Sequence, residues 1–207
     1  GLVLKELVAQ DDSVARAVVI SLHLVNTLLL TGAAALTAWW CGGNPLPRLR
    51  RAPAVKWLVG LGLGALVATS MTGAITALGD TLFPVDPTIG VGDGLMARVR
   101  GDLSSARHFL VRLRILHPVI AVLTAAYVLW LSNRLMDATR YGQRARAWAL
   151  VATVAVIAEV GIGLLNIALA APGWVQLTHL FVAQWVWIAT LLMGASALTH
   201  APSPSTR

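Results

Sequence analysis

Arg107, Leu110, Arg114 and His117 fall at i, i+3, i+7 and i+10, which on a helix is one stripe running from basic sequence into apolar sequence. Pro118 follows at once and lacks the N–H that would reach the carbonyl of Arg114. That predicts a kink or a free acceptor one turn from the imidazole. Imidazole is the commonest metal ligand among side chains. With arginines stacked toward the water beside it, the stretch suits a metal cofactor carrying acidic edge groups.

The remaining candidates are few. Apolar runs elsewhere hold only two more histidines, His23 and His179, and a single formal charge, Glu159. The chain has 207 residues, 57% of them hydrophobic and 12% charged, with a mean hydropathy of +0.74. A soluble domain carries roughly 25% charge, so this is the composition of a membrane protein. The net charge of +7 sits mostly in short loops between apolar runs, which argues against a nucleic-acid surface. One cysteine, Cys41, excludes an internal disulfide, a CxxC pair and a thiolate cluster. It reads as a small apolar residue at a helix end. The chain begins at Gly1 with no signal-peptide pattern, so the expectation is a start made by processing or truncation.

Five stretches reach the roughly 20 apolar residues that cross a bilayer: Ala17–Trp40, Trp57–Gly79, Ile115–Asn133, Ala147–Ala171 and Trp174–Thr199. The expected fold is therefore an all-α, polytopic membrane bundle of five transmembrane helices. Arg48, Arg50, Arg51 and Lys56 in one connection, and Arg134, Arg140, Arg144 and Arg146 in another, mark both as cytoplasmic. The loop from Asp80 to Arg107 then faces outward, where Met96–Leu116 reads as a surface helix continuing into the third span. Trp39, Trp40, Trp57, Trp130, Trp148 and Trp174 fall near span ends, as an aromatic belt requires. Gly60-Leu-Gly-Leu-Gly64 has no preceding strand, so it reads as close helix packing rather than a nucleotide loop.

That orientation sends spans one, three and five inward from the same side. At 1.5 Å per residue, His23, His117 and His179 then sit within roughly 5–10 Å of one boundary. Ala121 lies one turn past His117, and Ala183 one turn past His179, leaving room for a flat ligand. Haem iron takes axial histidines, and bundle cores place them on facing helices. Arg114, with Arg107 or Arg112, would pair with propionates. A lone intramembrane histidine also serves simply to hydrogen-bond a neighbouring helix. Glu159 reads as an acid facing the bundle, toward Asn166 or Gln184, or as a proton- or redox-linked group. His108 and His200 lie at span edges and read as surface residues. His23-Leu-Val and His179-Leu-Phe, at equivalent places in spans one and five, would be the trace of a duplicated bundle.

These residues resemble the haem A synthase family. The likeness runs through Leu22-His-Leu-Val-Asn-Thr27, Thr37-Ala-Trp-Trp40, the run from Gly73 to Pro84, Leu113-Arg-Ile-Leu-His-Pro118 and Gln176-Leu-Thr-His-Leu180. The resemblance implies eight spans in two four-helix halves, each holding a haem through paired histidines. One half takes the substrate, haem O, and the other a haem b. Residues 42–199 would be the carboxy-terminal half, with His117 and His179 as haem b ligands. Residues 1–41 would be the last helix of the preceding half with its lead-in, carrying His23 as a catalytic, substrate-haem histidine. Residues 200–207 would be a cytoplasmic tail. The pattern departs from the family in two ways. Three upstream spans, with their partner histidine and acidic residue, are not in this sequence, and the outer loop lacks the cysteines that some members carry. The resemblance thus implies a haem A synthase acting with a missing half or partner chain, in a bacterial inner membrane, with haem O synthase or a respiratory complex as neighbours. The alternative is a haem b protein that carries electrons without further chemistry.

Overall fold

A computed structural model describes residues 13–47, 53–83, 110 and 114–200. Most of the expected surface helix over 96–116, with Arg107, His108 and Arg112, and the tail over 201–207 lie outside the described residues. Among the described residues six helices follow in order: α1 Val14–Cys41, α2 Pro53–Leu82, α3 Leu116–Leu135, the single turn α4 Ala138–Tyr141, α5 Gln143–Ala168 and α6 Gly173–His200. Among the described residues there is no strand. All but α4 are long and apolar enough to cross a membrane, so the protein is an all-helical, multi-pass membrane bundle.

Local chemistry sets the helix ends. The Ser13 hydroxyl accepts from the Arg16 amide at 3.2 Å and caps α1. Asp137 caps α4 by accepting from the Thr139 amide at 2.9 Å and its hydroxyl at 2.6 Å, and the hydroxyl bond holds this carboxyl below its usual range. Gly142, at φ +86°, ends α4 and starts α5 in the left-handed region where glycine is unstrained. The fourth expected span runs three residues too far. Ala170 and Ala171 both adopt φ +60°, where the chain reverses ahead of Pro172, a residue with no N–H to carry the helix on.

Helix α6 is the centre of the bundle: 56% of its spanning window is buried, against 11–22% in the other four spans. Its half from Val186 to Leu198 is enclosed almost all round, with Thr190, Met193 and Ala197 fully buried. Trp187 Nε1 donates to the Leu28 carbonyl at 2.9 Å, and Thr31 Oγ1 to Gln184 at 3.1 Å, which ties α1 to α6. Trp39 packs with Leu192 and Ala195 rather than in a belt, whereas Trp57 and Trp174 are exposed.

Glycine sets the closest approaches. Of the Gly60–Gly64 run only Gly62 meets a neighbouring helix, 3.3 Å from Leu131 and Tyr127 for an added Cβ. Gly60 and Gly64 look onto open space, so the packing expected of the whole run comes down to one residue. Gly194 on α6 is tighter, since a Cβ there would overlap Val59 Cγ1 of α2. Gly194→Ala is expected to destabilise the fold by about 1–3 kcal/mol. Thermal melting in detergent reads this, and Val59→Ala in the same chain should recover most of the loss.

Candidate functional site

Helix α3 starts at Leu116, so Pro118 lies in its first turn, where a missing N–H leaves nothing unpaired and no kink arises. Residues 114 and 115 form a turn, so Arg114 lies just ahead of α3. Arg114 is tied to the end of α2. Its Nε stands 2.7 Å from Asp80 Oδ1, and its Nη2 donates to the Phe83 carbonyl at 2.9 Å.

His117 near the start of α3 and His179 in the second turn of α6 come together. Their ring centroids are 6.4 Å apart, with the planes at 80°. Each ring lies against a glycine of an adjacent helix. A Cβ on Gly73 of α2 would stand 3.0 Å from His117 Cε1, and one on Gly163 of α5 would stand 3.3 Å from His179 Cε1. Even an alanine at either place would need the imidazole to give by a few tenths of an ångström. The second contact follows from the tight reversal, because Gly163 and His179 lie eight residues to either side of Ala171.

Each Nδ1 faces an oxygen. His117 Nδ1 is 3.2 Å from Thr72 Oγ1. That hydroxyl gives its one proton to the Thr69 carbonyl at 2.8 Å, so the imidazole N–H donates to Thr72 and Nε2 keeps its lone pair. Thr69 is braced in turn by Thr124 of α3, hydroxyl to hydroxyl at 2.8 Å. His179 Nδ1 lies 3.1 Å from Glu159 Oε1 of α5. The N–H is not aligned on that oxygen, and Glu159 Oε2 is buried with no hydrogen-bond partner. Glu159 therefore faces His179, not Asn166 or Gln184 as its sequence position led us to expect. Gln184 is engaged by Thr31.

A metal–imidazole bond is about 2 Å long, so two rings gripping one ion stand roughly 6 Å apart, centroid to centroid. The observed 6.4 Å fits. Among the described residues no group of three or more His, Cys, Asp or Glu side chains surrounds an ion, so a bound metal here would need most of its ligands from a cofactor. His23 is not part of this pair. It is exposed on α1, and its carbonyl accepts from Thr27 Oγ1 at 3.0 Å.

Sequence reasoning missed Thr72, Gly73, Gly163 and Asp80. Of these only Gly163 had a usable signal, the reflection across the turn. The others depend on how α2 packs against α3, which no short-range spacing encodes.

The fold and site define a class, the multi-pass membrane bundles with two facing intramembrane histidines near one end. Within it, the family described as cytochrome oxidase assembly protein, COX15-CtaA, matches residues 2–191, and the chain belongs to that family, the haem A synthase family. Two curated relatives, from two strains of Thermus thermophilus, are each named protoheme IX farnesyltransferase. Each is 43% identical over 199 residues, covering 96% of this chain and 31% of the relative. The chain thus spans about a third of the length of the curated relatives it matches. No solved structure matches.

Proposed function

We propose that this chain is the haem b-holding part of a haem A synthase-like membrane protein, which oxidises haem O to haem A. The facing of His117 and His179, 6.4 Å between centroids with each Nδ1 turned to an oxygen, carries the reading. Two imidazoles are what haem iron asks of a protein when its axial sites are both filled, and the porphyrin supplies the rest. His117 and His179 would hold the iron as its ligands, and Gly73 and Gly163 keep the rings where they stand. When bound, a haem b would take up one at a time the four electrons released, with four protons, as a haem O methyl group and water become a formyl group, and would pass them to an external electron acceptor. Arg114 anchors the start of α3 three residues before His117. A haem propionate reaching this edge would meet a guanidinium whose carboxylate neighbour is Asp80. The family membership and the haem-modifying name of the relatives support the setting. By the same reading the protein sits in a bacterial inner membrane with the histidine end outward, beside haem O synthase or a respiratory complex.

One observation favours a second reading. His23, proposed as a substrate-haem histidine, is exposed on α1 and needs a second surface to complete a site. Without one the chain is a haem b electron carrier of a larger assembly. The test is the absorption of the chain purified from haem-replete cells. The expected result is a reduced-minus-oxidised spectrum of six-coordinate low-spin haem b. Protein that is folded yet carries and takes up no haem would overturn both readings.

A further inference from the structure

We propose that Glu159 is the positioning residue of the His179 ligand, making the two axial histidines unequal and lowering the reduction potential of the iron between them. The inference rests on the haem reading above. The two rings are alike in two respects: each has a glycine of a neighbouring helix against Cε1, and an oxygen facing Nδ1. They differ in which oxygen it is. His117 faces the Thr72 hydroxyl, whose proton is committed to the Thr69 carbonyl. His179 faces a carboxyl.

Nothing in the local sequence asks for an acid at this position. Val154, Ile157, Val160 and Leu164 around it on α5 are exposed as a membrane-facing surface, and an ionisable group in a span is expensive and marks function by default. Glu159 Oε2 has no hydrogen-bond partner, so the contact of Oε1 with His179 is where this side chain acts. Glu159 and Gly163 stand at i and i+4 on one stripe of α5. The glycine admits the ring of His179, and the carboxyl one turn away sets its rotation. The 3.1 Å contact needs only a turn of the ring to aim the N–H at Oε1, and a carboxyl oxygen that then draws the Nδ1 proton makes Nε2 a stronger donor, fixes the tautomer and orients the ring. A stronger donor stabilises oxidised iron more than reduced iron, and hydrogen bonding beyond the ligands is one of the levers on haem potential. Thr72, a neutral acceptor, does the same for His117 more weakly.

The experiment uses the full chain in detergent. Haem b is titrated back into each variant so that a weakened site is filled before the potential is read. Wild type, Glu159→Gln, Glu159→Leu and Thr72→Val are compared by spectroelectrochemical titration. Expected are a midpoint potential that rises from wild type through Glu159→Gln to Glu159→Leu, a smaller rise for Thr72→Val, and haem affinity lower by about 10–100-fold in Glu159→Leu. Should Glu159→Leu not fold, the isosteric Glu159→Gln decides alone. Wild-type potentials in the Glu159 variants, even with poorer haem retention, would reduce the residue to a packing role and overturn the inference. So would a Thr72→Val shift as large as theirs. Failure of the haem reading looks different: the wild type itself takes up no haem, or His179→Ala keeps the wild-type band.

Discussion

Alanine at either His117 or His179 is expected to abolish the six-coordinate haem signal, while alanine at His23 leaves it in place. Partners one shell beyond a metal ligand are worth about 10–100-fold in affinity, and removing a ligand itself loses more than that. The two variants should be equivalent in losing six-coordination, because on the proposed reading each ring supplies one of the two protein ligands, their centroids 6.4 Å apart. They should differ in what remains. In His117→Ala the surviving ligand, His179, keeps its carboxyl neighbour at 3.1 Å. In His179→Ala the survivor keeps only the Thr72 hydroxyl at 3.2 Å. Residual five-coordinate haem should therefore be greater in His117→Ala. Free imidazole added to that variant should restore the low-spin spectrum, since the space beside Gly73 that the ring filled is left open. Reduced-minus-oxidised spectra beside far-ultraviolet circular dichroism read all of this. Wild-type bands in both alanine variants would mean that these histidines do no more than join helices. Loss of the same band in His23→Ala would contradict the separation of α1 from the pair.

The five spans were legible because a bilayer demands about 20 apolar residues in a row, and that demand is local. Ala17–Trp40 became Val14–Cys41, and Trp174–Thr199 became Gly173–His200. The end of the fourth span was misjudged because Leu169, Ala170 and Ala171 are as apolar as the helix before them. Hydropathy does not register the left-handed turn that Ala170 and Ala171 form. The histidine pair was legible through depth: both rings lie in the first two turns of helices that enter from the same end. Their neighbours were not. Thr72, Gly73 and Thr69 reach His117 only through the register of α2 against α3, and Asp80 reaches Arg114 across a sequence separation that carries no pattern. Gln184 and Asn166 were plausible partners for Glu159 by polarity alone, whereas the reflection about Ala171 selects His179. In a membrane interior the few polar groups must meet one another, but which of them meet is decided by helix rotation.

Replacing Asp80 by alanine is expected to destabilise the fold by about 1.5–3 kcal/mol, the range for losing a hydrogen bond between charged groups, since Arg114 keeps its bond to the Phe83 carbonyl. The burial decides the magnitude. The side chains of Arg114 and Asp80 are only 14% and 8% exposed, and an exposed pair would be worth about 1 kcal/mol or less. Two further effects point the same way. Asp80 lies in the last turn of α2, where a negative charge opposes the helix dipole, so it depends on the guanidinium beside it. Arg114 also donates to the Phe83 carbonyl at 2.9 Å, one of the acceptors that a helix end leaves without an internal partner. Losing Asp80 thus loosens the junction that sets the start of α3 against the end of α2, with His117 three residues beyond it and Thr72 about two turns before. Chemical or thermal unfolding in detergent measures the loss. Arg114→Leu should lie in the same range, and Asp80→Leu with Arg114→Leu should be milder than either single change, because an apolar pair leaves no charge stranded. The haem band of Asp80→Ala should weaken in step with stability and not vanish while the protein is folded. A loss below about 1 kcal/mol for Asp80→Ala, or a double variant worse than the sum of the singles, would show that the pair does not fasten α2 to α3 and that the position of His117 is set by α6 and the Thr72 contact alone.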